Sequence, residues 1–192
     1  LIKPKAVFKF FSACSEGDRM HLFASPNEVT PLASFDFPRQ TRGEGLCLSD
    51  FVRPAGGERD FVSLFVVTCG AGIRELSDIY RDSGEYLKSH ALQSIAIEAA
   101  EGFAELLHER IRRMWGIGDP LEMSVRDKFQ AKYRGIRVSF GYPACPSLED
   151  QTKLFELLRP ETHCGVKLTE GFMMEPEASV SALVFHHPQA KY

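Results

Sequence analysis

Arg137-Val138-Ser139-Phe140-Gly141-Tyr142-Pro143-Ala144-Cys145-Pro146 is the stretch on which the reading of this chain turns. Residues 135–140 alternate like a strand. The glycine and the two prolines that follow end that strand and shape a rigid loop. Each proline holds φ near about −65° and lacks a backbone donor, while Gly141 admits conformations closed to other residues. The segment is therefore a platform with a bare patch of main chain, on which a planar ligand can lie. Arg137 offers a fork of donors matched to a carboxylate or phosphate, and Tyr142 a ring face with a polar tip. Read alone, a Gly- and Pro-rich connection after a strand is commonplace.

Working outward, residues 147–150 look like a helix start with acids in its first turn. Leu154, Leu157 and Leu158 form the apolar face, and Pro160 stands near the end. Two further strands, 165–169 and 178–185, are joined through Met173-Met174-Glu175-Pro176. Upstream, a short polar helix is expected between Asp119-Pro120 and Tyr133. The longest helical signal covers 83–115, with Leu92, Ile95, Ala96, Ala99, Phe103, Leu106, Arg110 and Met114 at three- and four-residue steps. Ser83 is its expected N-cap, and Gly116, Gly118 and Pro120 stop it. Ala91, Ala96, Ala99, Ala100 and Ala104 permit close approach to a sheet, which makes this the central packed helix.

A shorter helix precedes it at 73–81. The apolar run 61–69 reads as a central strand covered on both faces. Residues 6–12 and 20–24 read as a hairpin turning at Gly17-Asp18. Residues 26–44 read as loop with one short helix. Asp50, between two apolar stretches, reads on its own as a turn aspartate. No internal repeat or second-domain boundary is visible.

The 192 residues suffice for one domain with a sizeable core. Apolar residues at 44% and charged residues at 26% describe a globular protein. A net charge of −3 argues against nucleic acid as the main partner. No apolar run approaches the roughly 20 residues of a membrane span, and no secretory signal is visible. Cys14, Cys47, Cys69, Cys145 and Cys164 are odd in number and form no C-x-x-C pair, so they read as reduced thiols of a cytoplasmic protein.

The Arg-x-x-x-Gly-Tyr-Pro-Ala-Cys-Pro pattern resembles the S-adenosylmethionine-binding signature of the activation domain of cobalamin-dependent methionine synthases. Pro4-Lys5-Ala6-Val7-Phe8, Leu48-Ser49-Asp50-Phe51-Val52, Leu107-His108-Glu109-Arg110 and Lys167-Leu168-Thr169-Glu170 resemble that family in the same order. So do Ser179-Val180-Ser181 and His187-Pro188-Gln189-Ala190-Lys191-Tyr192, so the resemblance covers nearly the whole chain. It departs at Val138-Ser139-Phe140, where the family tends to small residues and prolines, at Ser147-Leu148 and at Leu183-Val184.

The fold this resemblance implies is a single C-shaped α+β domain, with a bent antiparallel sheet packed by a long central helix and shorter helices. The expected extent is 1–192, a C-terminal fragment of a larger enzyme that lacks the family's last helix; Leu1 in place of methionine fits such an excision. The implied function is reactivation. The domain presents S-adenosylmethionine to oxidised cob(II)alamin, which a neighbouring domain holds, and a flavodoxin-type reductase supplies an electron. Methylcobalamin and S-adenosylhomocysteine result. Other readings are a stand-alone reactivation subunit and a non-catalytic S-adenosylmethionine-binding module.

By the same resemblance Asp50 and Glu101 are the carboxylates that reach the ligand, with Asp50 favoured for the ammonium. Arg137 takes the carboxylate, and the main chain from Val138 through Gly141 to Tyr142 meets the adenosine. Tyr142 and Tyr192 lie near the sulfonium, where a ring face attracts a cation. Neither cobalamin nor a metal is expected on this chain, and no catalytic side chain.

Other constellations fare worse. Glu105 and His108 have half the spacing of a carboxylate-bridged dimetal site, but the second Glu-x-x-His is missing. His108-Glu109 begins like a zinc-protease motif, but Arg112 stands where the second histidine belongs. A solvated or salt-bridged helix face is expected there. His163-Cys164 and His186-His187 lack ligand spacing. Cys145 has no base nearby in sequence and reads as a packed loop residue.

Overall fold

A computed structural model describes residues 2–191. β1 (Lys5–Glu16) and β2 (Arg19–Phe23) form the expected hairpin, with Gly17 at φ 59° in its turn. Residues 26–44 hold a strand, β3 (Ala33–Asp36), where the sequence reading expected a short helix. Phe35 and Phe37 alternate to one buried face, a period of two that helical geometry cannot satisfy, and β3 adds to the free edge of β2. A 3₁₀ turn, Leu48–Phe51, and then β4 (Asp60–Thr68) follow.

α1 (Ile73–Asp82) leads into α2 (Tyr86–Met114). Ser83 does not open the long helix. It closes α1, its hydroxyl donating to Tyr80 O at 2.9 Å, and Glu85 precedes the first turn of α2. The buried stripe of α2 is Leu92, Ala96, Ala100, Ala104, Leu107 and Ile111; Ile95, Leu106 and Met114, expected on it, are exposed. The small side chains face the sheet and let the helix backbone approach it, so the bulkier ones turn outward.

The chain continues through α3 (Val125–Phe129), β5 (Ile136–Val138), α4 (Gln151–Leu158) and α5 (Pro160–Cys164). Pro160 opens α5, where proline's missing N–H is harmless, and Arg159 at φ 49° makes the break. β6 (Lys167–Leu168) pairs with β7 (Met174–Glu175), and β8 (Ser179–Phe185) returns to the main sheet.

That sheet has six strands in the order β3-β2-β1-β4-β8-β5, every neighbouring pair antiparallel. β4 and β8 are buried on both faces, as the continuous apolarity of 61–69 required. Val62, Leu64, Val66, Leu183 and Phe185 join one core with Leu154 and Leu158 of α4. Phe65, Val67, Ala182 and Val184 join the other, against the alanine stripe of α2. Each large side chain so buried stabilises by about 1.5–3 kcal/mol. This is the expected α+β architecture, a curled antiparallel sheet packed by one long helix and shorter ones. Among the described residues no helix is long and apolar enough to cross a membrane.

Candidate functional site

β5 is the edge strand beside buried β8, with Arg137 opposite Val184. Because side chains alternate along a strand, Ile136 and Val138 pack on the α4 core while Arg137 turns to α2. There its Nη2 lies 3.2 Å from Glu101 Oε2, and its Nε 3.6 Å from Glu105 Oε2. Glu101 and Glu105 are one helical turn apart and so share a face.

The platform after β5 is closed by its own main chain. Gly141 N–H donates to Cys145 O at 3.0 Å, and Cys145 N–H to Tyr142 O at 2.9 Å, a turn with Pro143 in its second position. Gly141 sits at φ 88°, so the turn needs glycine there. Ser139 Oγ ties the loop to Ser181 O at 2.8 Å, and Cys145 Sγ donates to Ser139 O at 2.9 Å. Cys145 is buried, and burial pushes its thiol up to about 12, which suits a packed residue and not a nucleophile.

An open cleft of about 640 Å³ lies here, lined among others by Glu101, Tyr133, Arg137, Val138, Tyr142 and Lys191. Of the residues expected at the site, Glu101, Arg137, Val138 and Tyr142 meet in this cleft, and Gly141 shapes its turn. Asp50 does not line it. Asp50 occupies the 3₁₀ turn and a neighbouring cleft of about 470 Å³, with Phe51, His187 and Lys191. Lys191 borders both clefts and reaches Glu44 Oε1 at 2.7 Å. Tyr192 lies outside the described residues.

Beneath Arg137 is a buried polar cluster. Tyr133 Oη donates to Glu105 Oε2 at 3.2 Å, and Arg112 lies 3.7 Å over the Tyr133 ring. Arg112, 1% exposed, is clamped by Asp119 at 2.6 and 2.8 Å. His108 is fully buried edge-on to Tyr133, and its desolvation, with Arg112 and Arg137 nearby, lowers its pKa to about 2. The expected solvated face is therefore wrong for His108 and Arg112: α2 turns them under the cleft, and the salt bridge is an interior one. Burial and the Glu105 carboxylate push Tyr133 up to about 12. Among the described residues no group of three or more His, Cys, Asp or Glu is arranged to hold a metal ion.

This cleft sits in a chain that matches, over residues 1–192, the family described as vitamin B12 dependent methionine synthase, activation domain. The chain belongs to that family. Methionine synthase of Mycobacterium tuberculosis is 38% identical over 204 residues, which cover 97% of this chain and 16% of that protein. Methionine synthase of Mycobacterium leprae is 38% identical over 206 residues with the same coverage. The activation domain thus spans about one sixth of the length of these relatives. A crystal structure described as the MetH reactivation domain bound to AdoHcy superposes with a TM-score of 0.93 at 35% identity, covering 100% of this chain and 61% of that one.

Sequence reasoning missed Glu105, Tyr133 and Lys191 of this activation domain. Glu105 was open to inference, because a carboxylate one turn from Glu101 must share its face. Lys191 stands in the His-Pro-Gln-Ala-Lys-Tyr segment that carries the resemblance, which is the signal that could have found it, whereas Tyr133 carries no local signal; tertiary folding brings both to the Arg137 cleft.

Proposed function

We propose that this activation domain binds S-adenosylmethionine at the Arg137 cleft and presents its methyl group for reductive methylation of cob(II)alamin, the reactivation step of cobalamin-dependent methionine synthase. The observation that carries the reading is the meeting of the Arg137 fork, Glu101 and the Gly-Tyr-Pro platform in one open cleft. The family match along the whole chain and the AdoHcy named for the similar crystal structure support it.

Arg137 takes the ligand carboxylate through its bidentate fork. Glu101 takes the ribose hydroxyls, and Asp50, from the adjoining cleft, the ammonium. The main chain of 138–142 lies against the adenosine, with the rings of Tyr142 and Tyr192 beside the sulfonium. When bound, S-adenosylmethionine supplies an electrophilic methyl group. The protein's part is placement and electrostatics, so no side chain here acts as an acid, base or nucleophile.

Residues 1–192 act in this reading as the activation segment of a cytoplasmic enzyme whose cobalamin is held by another domain, with a flavodoxin-type reductase as electron source. Calorimetric titration with S-adenosylmethionine and S-adenosylhomocysteine tests it. One-to-one binding of both, with no methyl transfer until a cobalamin protein and a reductant are added, is expected. Methyl transfer by the chain alone, or no binding, refutes it.

A further inference from the structure

Arg39 lies in the connection between β3 and the 3₁₀ turn, outside both sets of cleft residues, and all of its guanidinium donors are engaged. Nε and Nη2 donate to Asp18 Oδ1 at 3.0 and 2.7 Å. Nη1 donates to Gly45 O at 2.8 Å and to Asp50 Oδ2 at 2.7 Å, and Nη2 to Asp50 Oδ1 at 2.7 Å. A guanidinium has five N–H groups, so none is left over for a ligand. The acceptors come from three separate segments: the β1–β2 turn, the loop before the 3₁₀ turn, and that turn itself.

The other half of the pair is equally constrained. Asp50 Oδ2 also accepts the Cys47 N–H at 3.1 Å, which fills both of its lone pairs. Oδ1 keeps one acceptor position open. Lys191, the lysine that lines this cleft, reaches Glu44 instead at 2.7 Å, so it does not take that position.

We propose that Arg39 is a positioning residue for amine recognition: its fork holds the Asp50 carboxylate so that the one open lone pair, on Oδ1, receives the ammonium of the amino-acid part of the ligand. The proposal rests on the reading of Asp50 as the ammonium acceptor. Half-exposed ion pairs contribute little to stability, so the bidentate geometry here fixes direction more than it holds the fold. The Arg39 bonds, helped by the Cys47 N–H, also keep the Asp50 carboxyl below its ordinary range.

The test is calorimetric titration of the full chain with S-adenosylhomocysteine and with its desamino analogue, in which hydrogen replaces the amine. Arg39→Gln is expected to weaken S-adenosylhomocysteine about tenfold, the loss of roughly one charge-assisted hydrogen bond, and to leave the desamino analogue unchanged. Arg39→Lys recovers part, because a point charge cannot grip both oxygens. Equal weakening of the two ligands means that Arg39 only braces loops, and it overturns the proposal, as does unchanged affinity for both. Asp50→Asn separates the underlying reading. If it leaves S-adenosylhomocysteine binding intact, the ammonium assignment itself is wrong; if it causes an amine-specific loss that Arg39→Gln lacks, the Arg39 proposal alone fails. Should Arg39→Gln not fold, Asp18→Asn, which loosens the other side of the fork, must show a smaller loss confined to the amine-bearing ligand, and a loss shared by both ligands counts against the proposal.

Discussion

Arg137 Nη2 lies 3.2 Å from Glu101 Oε2, a contact that joins edge strand β5 to helix α2 at the cleft. With Glu105 Oε2 3.6 Å from its Nε, the guanidinium is aimed before any ligand arrives. Arg137→Ala is expected to weaken S-adenosylhomocysteine binding by about 2 to 4 kcal/mol, as when one member of a hydrogen-bonded charge pair is removed. Arg137→Lys recovers only part. The check is titration at one ionic strength, with circular dichroism to confirm folding; unaltered affinity in a folded Arg137→Ala protein places the carboxylate elsewhere.

Asp119 neutralises an arginine that is almost wholly inside the protein, the two side chains being 4% and 1% exposed. Asp119→Ala strands that charge and is expected to destabilise by about 3 kcal/mol or more. Replacing both partners, Arg112→Met with Asp119→Leu, removes the buried charge as well, and so is expected to do less harm than the single change. Urea unfolding of the three proteins decides it, and a double variant less stable than Asp119→Ala contradicts the account.

His108 carries a pH dependence of definite sign. Its folded pKa, about 2, lies below the ordinary 6.5, so between those values the unfolded chain binds more protons and stability rises with pH. Above 6.5 this contribution is level. Denaturant unfolding from pH 7 down to 4.5 is expected to show a loss that approaches about 1.4 kcal/mol per unit from this group. His108→Phe keeps a ring against Tyr133 and is expected to flatten the slope relative to the parent protein. Parallel slopes for the two proteins exclude His108 as the source.

Gly135 admits no side chain. Its φ is 87°, and a Cβ there would lie 2.4 Å from Phe185 O, a backbone atom of the buried partner strand. Gly135→Ala is expected to cost about 2 kcal/mol or more and to weaken ligand binding, since β5 must move and Arg137 rides on it. Thermal unfolding together with a ligand titration checks both effects.

The local alphabet of the chain was enough for much of the architecture. Continuous apolarity over 61–69 marked β4 as a doubly covered strand, and Gly17-Asp18 placed the first hairpin. The Gly-Tyr-Pro loop announced the platform beside Arg137. These features follow from periodicity and turn chemistry, which act over a few residues and are therefore written in the order of the residues themselves. The phase of the α2 stripe was only partly legible: the alanines read as the sheet-facing side, but Ile95 and Leu106 fall at apolar steps as well, and only packing against the sheet turns these two outward. Ser83 was ambiguous for a similar reason, since a hydroxyl between two helical signals suits the end of one as well as the start of the next. Of the contacts that define the candidate site, only the shared face of Glu101 and Glu105 was open to inference, and the partners each side chain meets were not. Arg39 gathers Asp18 and Asp50 from two distant turns, Glu105 meets Arg137 from another element, and His108 and Arg112 are buried although they stand in a charged run. Such pairs form because the folded backbone brings remote segments within hydrogen-bond distance, and no short-range pattern in the sequence encodes that distance.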